Sequence, residues 1–356
     1  MSLQFKKYLW IFPFIVCLNI LADDTVVGLG SGGLEFLTTD EIAMVREDLT
    51  ISTNLIDARY VFKNVTDHPV QIMVAFPLPV IEFSKYSEHG PGINLPKFNG
   101  MNFVDFKTYV DNKAIDTKVE IKALVNYTDV SNELRKLHID FEIPGPQGFS
   151  EKIEKQISLL SKTDQQKLIK LGAIRKITYD GQPDEFYENW SLVTLYYWTQ
   201  TFPVGQTVQI RHTYHPIVEE SAGFGALLTD YNGKPIPLVL EGTPEARYPS
   251  GQGSADYFKP YCLTDQFWNT ARERNSQLFY DSKKIKFILK TANAWRKPIG
   301  EFNLMIERND PQSLVSLCMD GIKKISPTLF KSTKTNFIPD KDIDLFFLEK
   351  HPDNLK

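Results

Sequence analysis

Apolar side chains recur at every second position along much of this chain, a period that fits strands and excludes long amphipathic helices there. In residues 55–63 (LIDARYVFK), Ile56, Ala58, Tyr60 and Phe62 alternate with Asp57, Arg59 and Lys63. Residues 70–77 (VQIMVAFP) follow the turn-like string Asn64-Val65-Thr66-Asp67, so the two runs read as a hairpin. Pro77 and Pro79 stop the second run, because proline has no N–H to give a ladder. Two more pairs are expected on the same grounds. Residues 103–110 should return along 117–125 around Asp111-Asn112-Lys113, and 191–201 along 207–214 around 203–206. The 24 Phe, 15 Tyr and 21 Pro agree with strands and turns.

The period changes in the middle of the chain. Ser131 reads as an N-cap ahead of 133–137, and residues 150–160 (SEKIEKQISLL) place Ile153, Ile157 and Leu160 on one helical face. Thr163-Asp164-Gln165-Gln166 has capping-box form, with Thr163 as the cap and Gln166 reciprocating, and Gly172 suits the helix stop. Strand patterns resume at 284–291, 300–306, 314–318, 328–333 and 342–348. The expected fold class is therefore α+β and β-dominated. An antiparallel β-sandwich lobe (23–218) carries a helical insertion at about 131–175. A Gly/Pro-rich connection (219–260) then leads to a second antiparallel β lobe (261–349) and a frayed tail (350–356).

Residues 1–22 read as an address. Lys6 and Lys7 precede a 14-residue apolar stretch from Tyr8 to Leu21, and Ile20-Leu21-Ala22 resembles a cleavage site. A spanning helix needs about 20 apolar residues, and Pro13 and Asn19 interrupt this shorter run. The segment fits a signal peptide removed after Ala22, leaving Asp23 first. Cleavage also removes Cys17 and leaves Cys262 and Cys318, an even count that suits an oxidising compartment. If joined, they close a loop worth about 4 kcal/mol in the chain-entropy model. The expected location is the periplasm or the medium, with no stable membrane insertion once the leader is gone.

The 40 Lys+Arg against 44 Asp+Glu give a formal charge of −4, which supplies no basic footprint for nucleic acid. Gly28-Leu29-Gly30-Ser31-Gly32-Gly33 satisfies G-x-G-x-x-G formally, but it begins too early to follow a full strand in a βαβ unit, so it reads as a turn. His212, His215, Glu219 and Glu220 are the densest metal-capable set. On a strand the two histidines face opposite ways, so no metal is expected. Asp340, Asp342 and Asp344 resemble the start of a calcium loop, but Leu345 stands where glycine is required. No nucleophile elbow or P-loop occurs, and pairs such as Asp180/Glu185 have no cleft to act in. No cofactor is implied. Asn64, Asn126 and Asn189 begin N-glycosylation sequons.

Aromatic clusters are the remaining signal. Tyr196 and Tyr197 are adjacent in one strand pattern, so at least one must face outward, while Tyr248, Tyr257, Phe258 and Trp268 decorate the Gly/Pro-rich region. Exposed aromatics favour binding surfaces, and these six are the candidate ligand contacts.

Four strings resemble, in order, an uncharacterised family of exported Gram-negative proteins, domain of unknown function 4424. They are GLGSGGLEFLTTDEIAMVREDLTIS, YVFKNVTDHPVQIMVAFPLP, TLYYWTQTFPVGQTVQIRHTYHP and LVSLCMDGIKKISPTLFKSTKTNFIPDKDIDLFFLE, and the similarity covers nearly all of 23–349. The resemblance implies a periplasmic or secreted protein and supplies no catalytic residues. Its cysteine-bearing words match those around Cys262 and Cys318, which supports their pairing. The expected function is a non-enzymatic binding protein with a protein or glycan ligand, handled by export machinery and exported to the medium as a folded protein. The alternative is a hydrolase of envelope or host polymers with an inter-lobe cleft.

Overall fold

A computed structural model describes residues 24–30, 33–85, 92–95, 100–142, 151–181, 183–221, 258–275 and 280–351. The chain runs through β1 (Thr25–Gly30), β2 (Gly33–Leu37), β3 (Ile42–Ile51), β4 (Ile56–Asn64), β5 (Val70–Pro77), β6 (Ile81–Glu82) and β7 (Gly92–Asn94). Next come β8 (Lys107–Val110), β9 (Lys113–Ile115), β10 (Lys118–Val125) and β11 (Thr128–Asp129). Helices α1 (Ser131–Lys136), α2 (Glu151–Ser158) and α3 (Lys162–Lys170) follow. Then come β12 (Ile174–Ile177), β13 (Glu185–Glu188), β14 (Ser191–Phe202), β15 (Thr207–Tyr214) and β16 (Val218–Ser221). Helix α4 (Asp265–Asn275) precedes β17 (Tyr280–Phe287), β18 (Ile299–Glu307), β19 (Leu314–Leu317), β20 (Lys323–Lys324), β21 (Leu329–Phe337) and β22 (Ile343–Lys350).

Two sheets pack face to face. One has the order β11-β10-β14-β5-β1-β2, with β6 also on β14; the other is β20-β21-β18-β3-β4-β15-β8-β9. The alternation of β4 sends Ile56, Ala58, Tyr60 and Phe62 inward, all at 1% exposure or less. They meet the inward side chains of β5 and β14, with Phe62 at 6.0 Å from Phe202. A third sheet, β19-β22-β17-β16-β7, adds Phe287 and Phe347 to the same core. The fold is the strand-dominated α+β arrangement expected, with several antiparallel sheets.

The strand pairing differs from the expectation in a consistent way. β4 lies in the eight-stranded sheet, whereas β5 lies in the opposite one. β14 and β15 are likewise split between the two layers. Around Asp111 and Asn112, both at positive φ, β8 does turn back, but onto β9; β10 crosses to the facing sheet. Three expected hairpins therefore contain three crossings between layers. Asn64, 1% exposed, ties two of these crossings together. Its Nδ2 donates to the carbonyls of His68 at 2.8 Å and Phe202 at 2.9 Å, while Oδ1 accepts from Thr66 N and Oγ1. Both amide hydrogens are engaged, so the Asn64 sequon is closed to a glycan in the folded chain.

The helices also begin elsewhere than expected. Ser161, not Thr163, caps α3 by accepting from Asp164 N at 3.1 Å. Ser131 lies inside α1, and its Oγ accepts from Ala123 N. Ile153 and Ile157 are buried, with α2 set against β13. Gly172 ends the segment at φ +72°.

The division into two lobes at 219–260 is not a division of the sheets. β18 runs parallel to β3, and β16 pairs with β17, so strands on both sides of that segment share two sheets. A smaller core does gather near the C-terminal part: Phe258, Trp268, Tyr280, Leu314 and Phe346 pack together. Cys262 and Cys318 are bonded beside it, with Cα atoms 5.0 Å apart.

Candidate functional site

The inward face of β15 carries the first constellation with the form of a chemical site. His212 lies between Ile210 and Tyr214 in the alternation, and all three are buried. Its Nε2 is 2.9 Å from Asp24 Oδ1, and its Nδ1 is 3.0 Å from Thr108 Oγ1. Rings enclose it: Phe106 at 4.9 Å, Phe76 at 5.1 Å, Trp198 at 5.3 Å and Tyr60 at 5.9 Å. Burial raises the Asp24 carboxyl above its ordinary range, and the neighbouring His212 pulls it partly back.

Hydroxyl, imidazole and carboxylate in that order would suit nucleophilic catalysis. Access decides against it. Asp24 and His212 are 0% exposed and Thr108 is 2% exposed, so no substrate reaches the hydroxyl. His215 points away from this cluster and bonds the Asn54 carbonyl through Nδ1 at 2.8 Å. Glu219 and Glu220 pair with Lys284 and Lys283 across β16 and β17. The four side chains singled out in sequence do not converge. Among the described residues no three His, Cys, Asp or Glu side chains form a group able to hold a metal.

On the far side of Trp198 lies an open groove of about 370 Å³. Its position follows from the crossing between β9 and β10. The β10–β14 ladder begins at Lys118 opposite Tyr197, while β5 accompanies the other edge of β14 to Phe202 opposite Val70. The edge of β14 beyond Tyr197 therefore has no β10 rung. Tyr197, Trp198, Thr199 and Gln200 of β14 line the space together with Met73 of β5. The opposite wall is Val110 and Ile115 from the β8–β9 hairpin, with Asp116 and Lys118 where the chain crosses. Trp198 Nε1 donates to Gln200 Oε1 at 3.4 Å, and Gln200 Nε2 donates to the Thr201 carbonyl at 2.8 Å. Aromatic, aliphatic, amide and charged groups thus share one surface, the mixed lining of small-molecule sites.

A smaller cavity of about 230 Å³ lies beside the disulfide, near Lys259, Lys341 and Asp344. Burial raises the Asp344 carboxyl. Asp342, on the same rim, accepts from the backbone of Leu289 and Lys290, so it anchors the turn at 290–294. Its role there is structural rather than that of a calcium ligand.

The candidate aromatics divide. Tyr197 lines the groove, half-buried. Tyr196 is 2% exposed, stacks on Phe106 at 4.2 Å and donates to Asn102 Oδ1, so it belongs to the core. Phe258 and Trp268, at 3% and 1% exposure, form the second core and are not a surface. Tyr248, Tyr257, Ala22 and Asp23 lie outside the described residues. Trp198 falls within the 191–201 strand pattern. Val110, Ile115, Asp116, Lys118 and Gln200 had no sequence signal, since only the crossing brings them together. Gly28, Gly30 and Gly33 sit in the β1–β2 hairpin, without the helix a dinucleotide turn needs.

A family model described as "Domain of unknown function (DUF4424)" matches residues 22–346. No curated protein matches the chain. Among solved structures, the chain is similar to a candidate nutrient binding protein from Legionella pneumophila subsp. pneumophila str. Philadelphia 1. The two are 17% identical, over 91% of this chain and 72% of that one, with a TM-score of 0.39. That similarity is too loose to carry a ligand from one protein to the other. No helix among the described residues is long and apolar enough to cross a membrane.

Proposed function

The chain belongs to the DUF4424 family, whose description assigns no activity, and from that premise we propose that it is an exported, non-enzymatic protein that binds a small ligand in the groove beside Trp198. The observation that carries this reading is the separation of access from acid–base chemistry. The groove is open and mixed in polarity, whereas the Thr108–His212–Asp24 cluster is sealed. A hydrolase would need the reverse. Export is supported by the leader pattern of residues 1–22 and by the Cys262–Cys318 bond, which persists in oxidising compartments. The mature chain then begins at Asp23 in the periplasm or the medium.

The test is an amide-resolved NMR screen of a chemically diverse library against the mature protein. The expected hits shift the resonances of Val110, Ile115, Tyr197 and Thr199. Tyr197→Ala, on a half-buried side chain, should weaken a hit at least tenfold while leaving the unfolding midpoint nearly unchanged. A library that never perturbs those resonances would sink the reading.

A further inference from the structure

We infer that the groove takes a short linear peptide in extended form, laid along the open edge of β14 as an added strand; this rests on the groove being the ligand site. The ladder beside β14 is interrupted. From Trp198 onward β14 has β5 on one side and no β10 rung on the other. A strand edge offers backbone N–H and C=O groups in the spacing that another extended chain satisfies. In β14 the even-numbered residues turn their backbone groups to β5 and the odd-numbered ones to the β10 edge, so Thr199 and Thr201 face the gap. Within the gap, the Gln200 side-chain amide reaches the Thr201 carbonyl, as an incoming peptide N–H would. The Thr199 N–H and C=O and the Thr201 N–H face the gap, a length that an extended peptide of about four residues spans at about 3.3 Å each.

The walls suit the same occupant. Val110, Ile115 and Met73 give apolar surface for alternate side chains of an extended peptide. Because β10 is antiparallel to β14 and begins at Lys118, a peptide that continues its line meets Lys118 with its own C-terminus. The exposed Lys118 ammonium then receives the terminal carboxylate. Asp116, on the same rim, disfavours an acidic last residue.

The probes are an apolar tetrapeptide with a free carboxylate, its C-terminal amide, and versions N-methylated at single backbone positions. Titration against the mature protein, followed by NMR at Thr199 and Thr201, should show saturable binding of the free acid. N-methylation at one of two alternate positions should weaken it at least tenfold, since main-chain N–H groups carry the contact. Amidation should weaken binding about tenfold, and Lys118→Met should abolish the difference between acid and amide. Equal binding of all N-methylated forms would overturn the inference. So would peptides that leave the groove unperturbed while other compounds from the screen bind there, an outcome that preserves the small-ligand reading. Failure of peptides and of every other compound would remove both.

Discussion

Trp198 separates two regions that face opposite requirements. On its inner side, His212 meets Asp24 and Thr108 within a ring of aromatics, and all three are buried. On its outer side, the groove has the exposed charges of Asp116 and Lys118 and an unfinished strand edge. The contrast teaches that a suggestive order of side chains is not a reactive site unless a substrate can reach it. Buried polar groups in native interiors are satisfied by one another, and His212 follows that rule. The groove instead keeps its surface available, which is what binding demands.

The largest expected effect comes from removing the partition. Trp198→Ala should cost about 4 kcal/mol of stability, the usual scale for deleting a buried indole, as read by urea unfolding. It should also admit water to His212, so that its ring C–H exchanges faster in deuterated solvent. A variant with wild-type stability and unchanged exchange would show that the two regions are not divided at this residue.

A smaller loss is expected at the end of β14. Asn64→Ala leaves the Phe202 and His68 carbonyls without their donor, at a cost of about 2 kcal/mol. Chemical shifts should move at Gln200 and Thr201 before they move at His212. The opposite order would mean that the crossings support the sealed cluster more than the groove.

The finest distinction is electrostatic. The folded Asp24 carboxyl titrates above its ordinary value of 3.8 because burial disfavours its charge. The folded state therefore holds the proton more tightly, and this group's contribution to stability falls as pH rises from about 3.8 through the raised folded value. Asp24→Asn should remove that component of the pH–stability profile and leave ligand affinity in the groove unchanged. An affinity change of tenfold or more would mean that the two regions are coupled through Trp198.

Much of the fold was legible in alternation. Ile56, Ala58, Tyr60 and Phe62 do face the core, and His212 and His215 do face opposite ways. The failures concern partners. Residues 64–69 and 203–206 have turn composition, yet each carries the chain between layers instead of back along the same sheet. The Thr163 cap was misplaced because Ser161 offers the same chemistry two residues earlier. Phe258 and Trp268 lie at the edge of a Gly/Pro-rich region, and composition could not tell a loop aromatic from one that closes a second core.

Local pattern along the chain marks most of the strands, which of their faces is apolar, where the leader-like stretch lies and which two cysteines remain beyond it. Those are local properties, set by period, charge and residue chemistry within a few positions. That β4 and β5 occupy opposite layers, that His212 is sealed, and that β10 starts at Lys118 and leaves an edge of β14 open come from long-range packing. A short turn can serve either a hairpin or a crossing. The choice rests on burying distant apolar faces against each other, and that energy is shared among strands far apart in the chain.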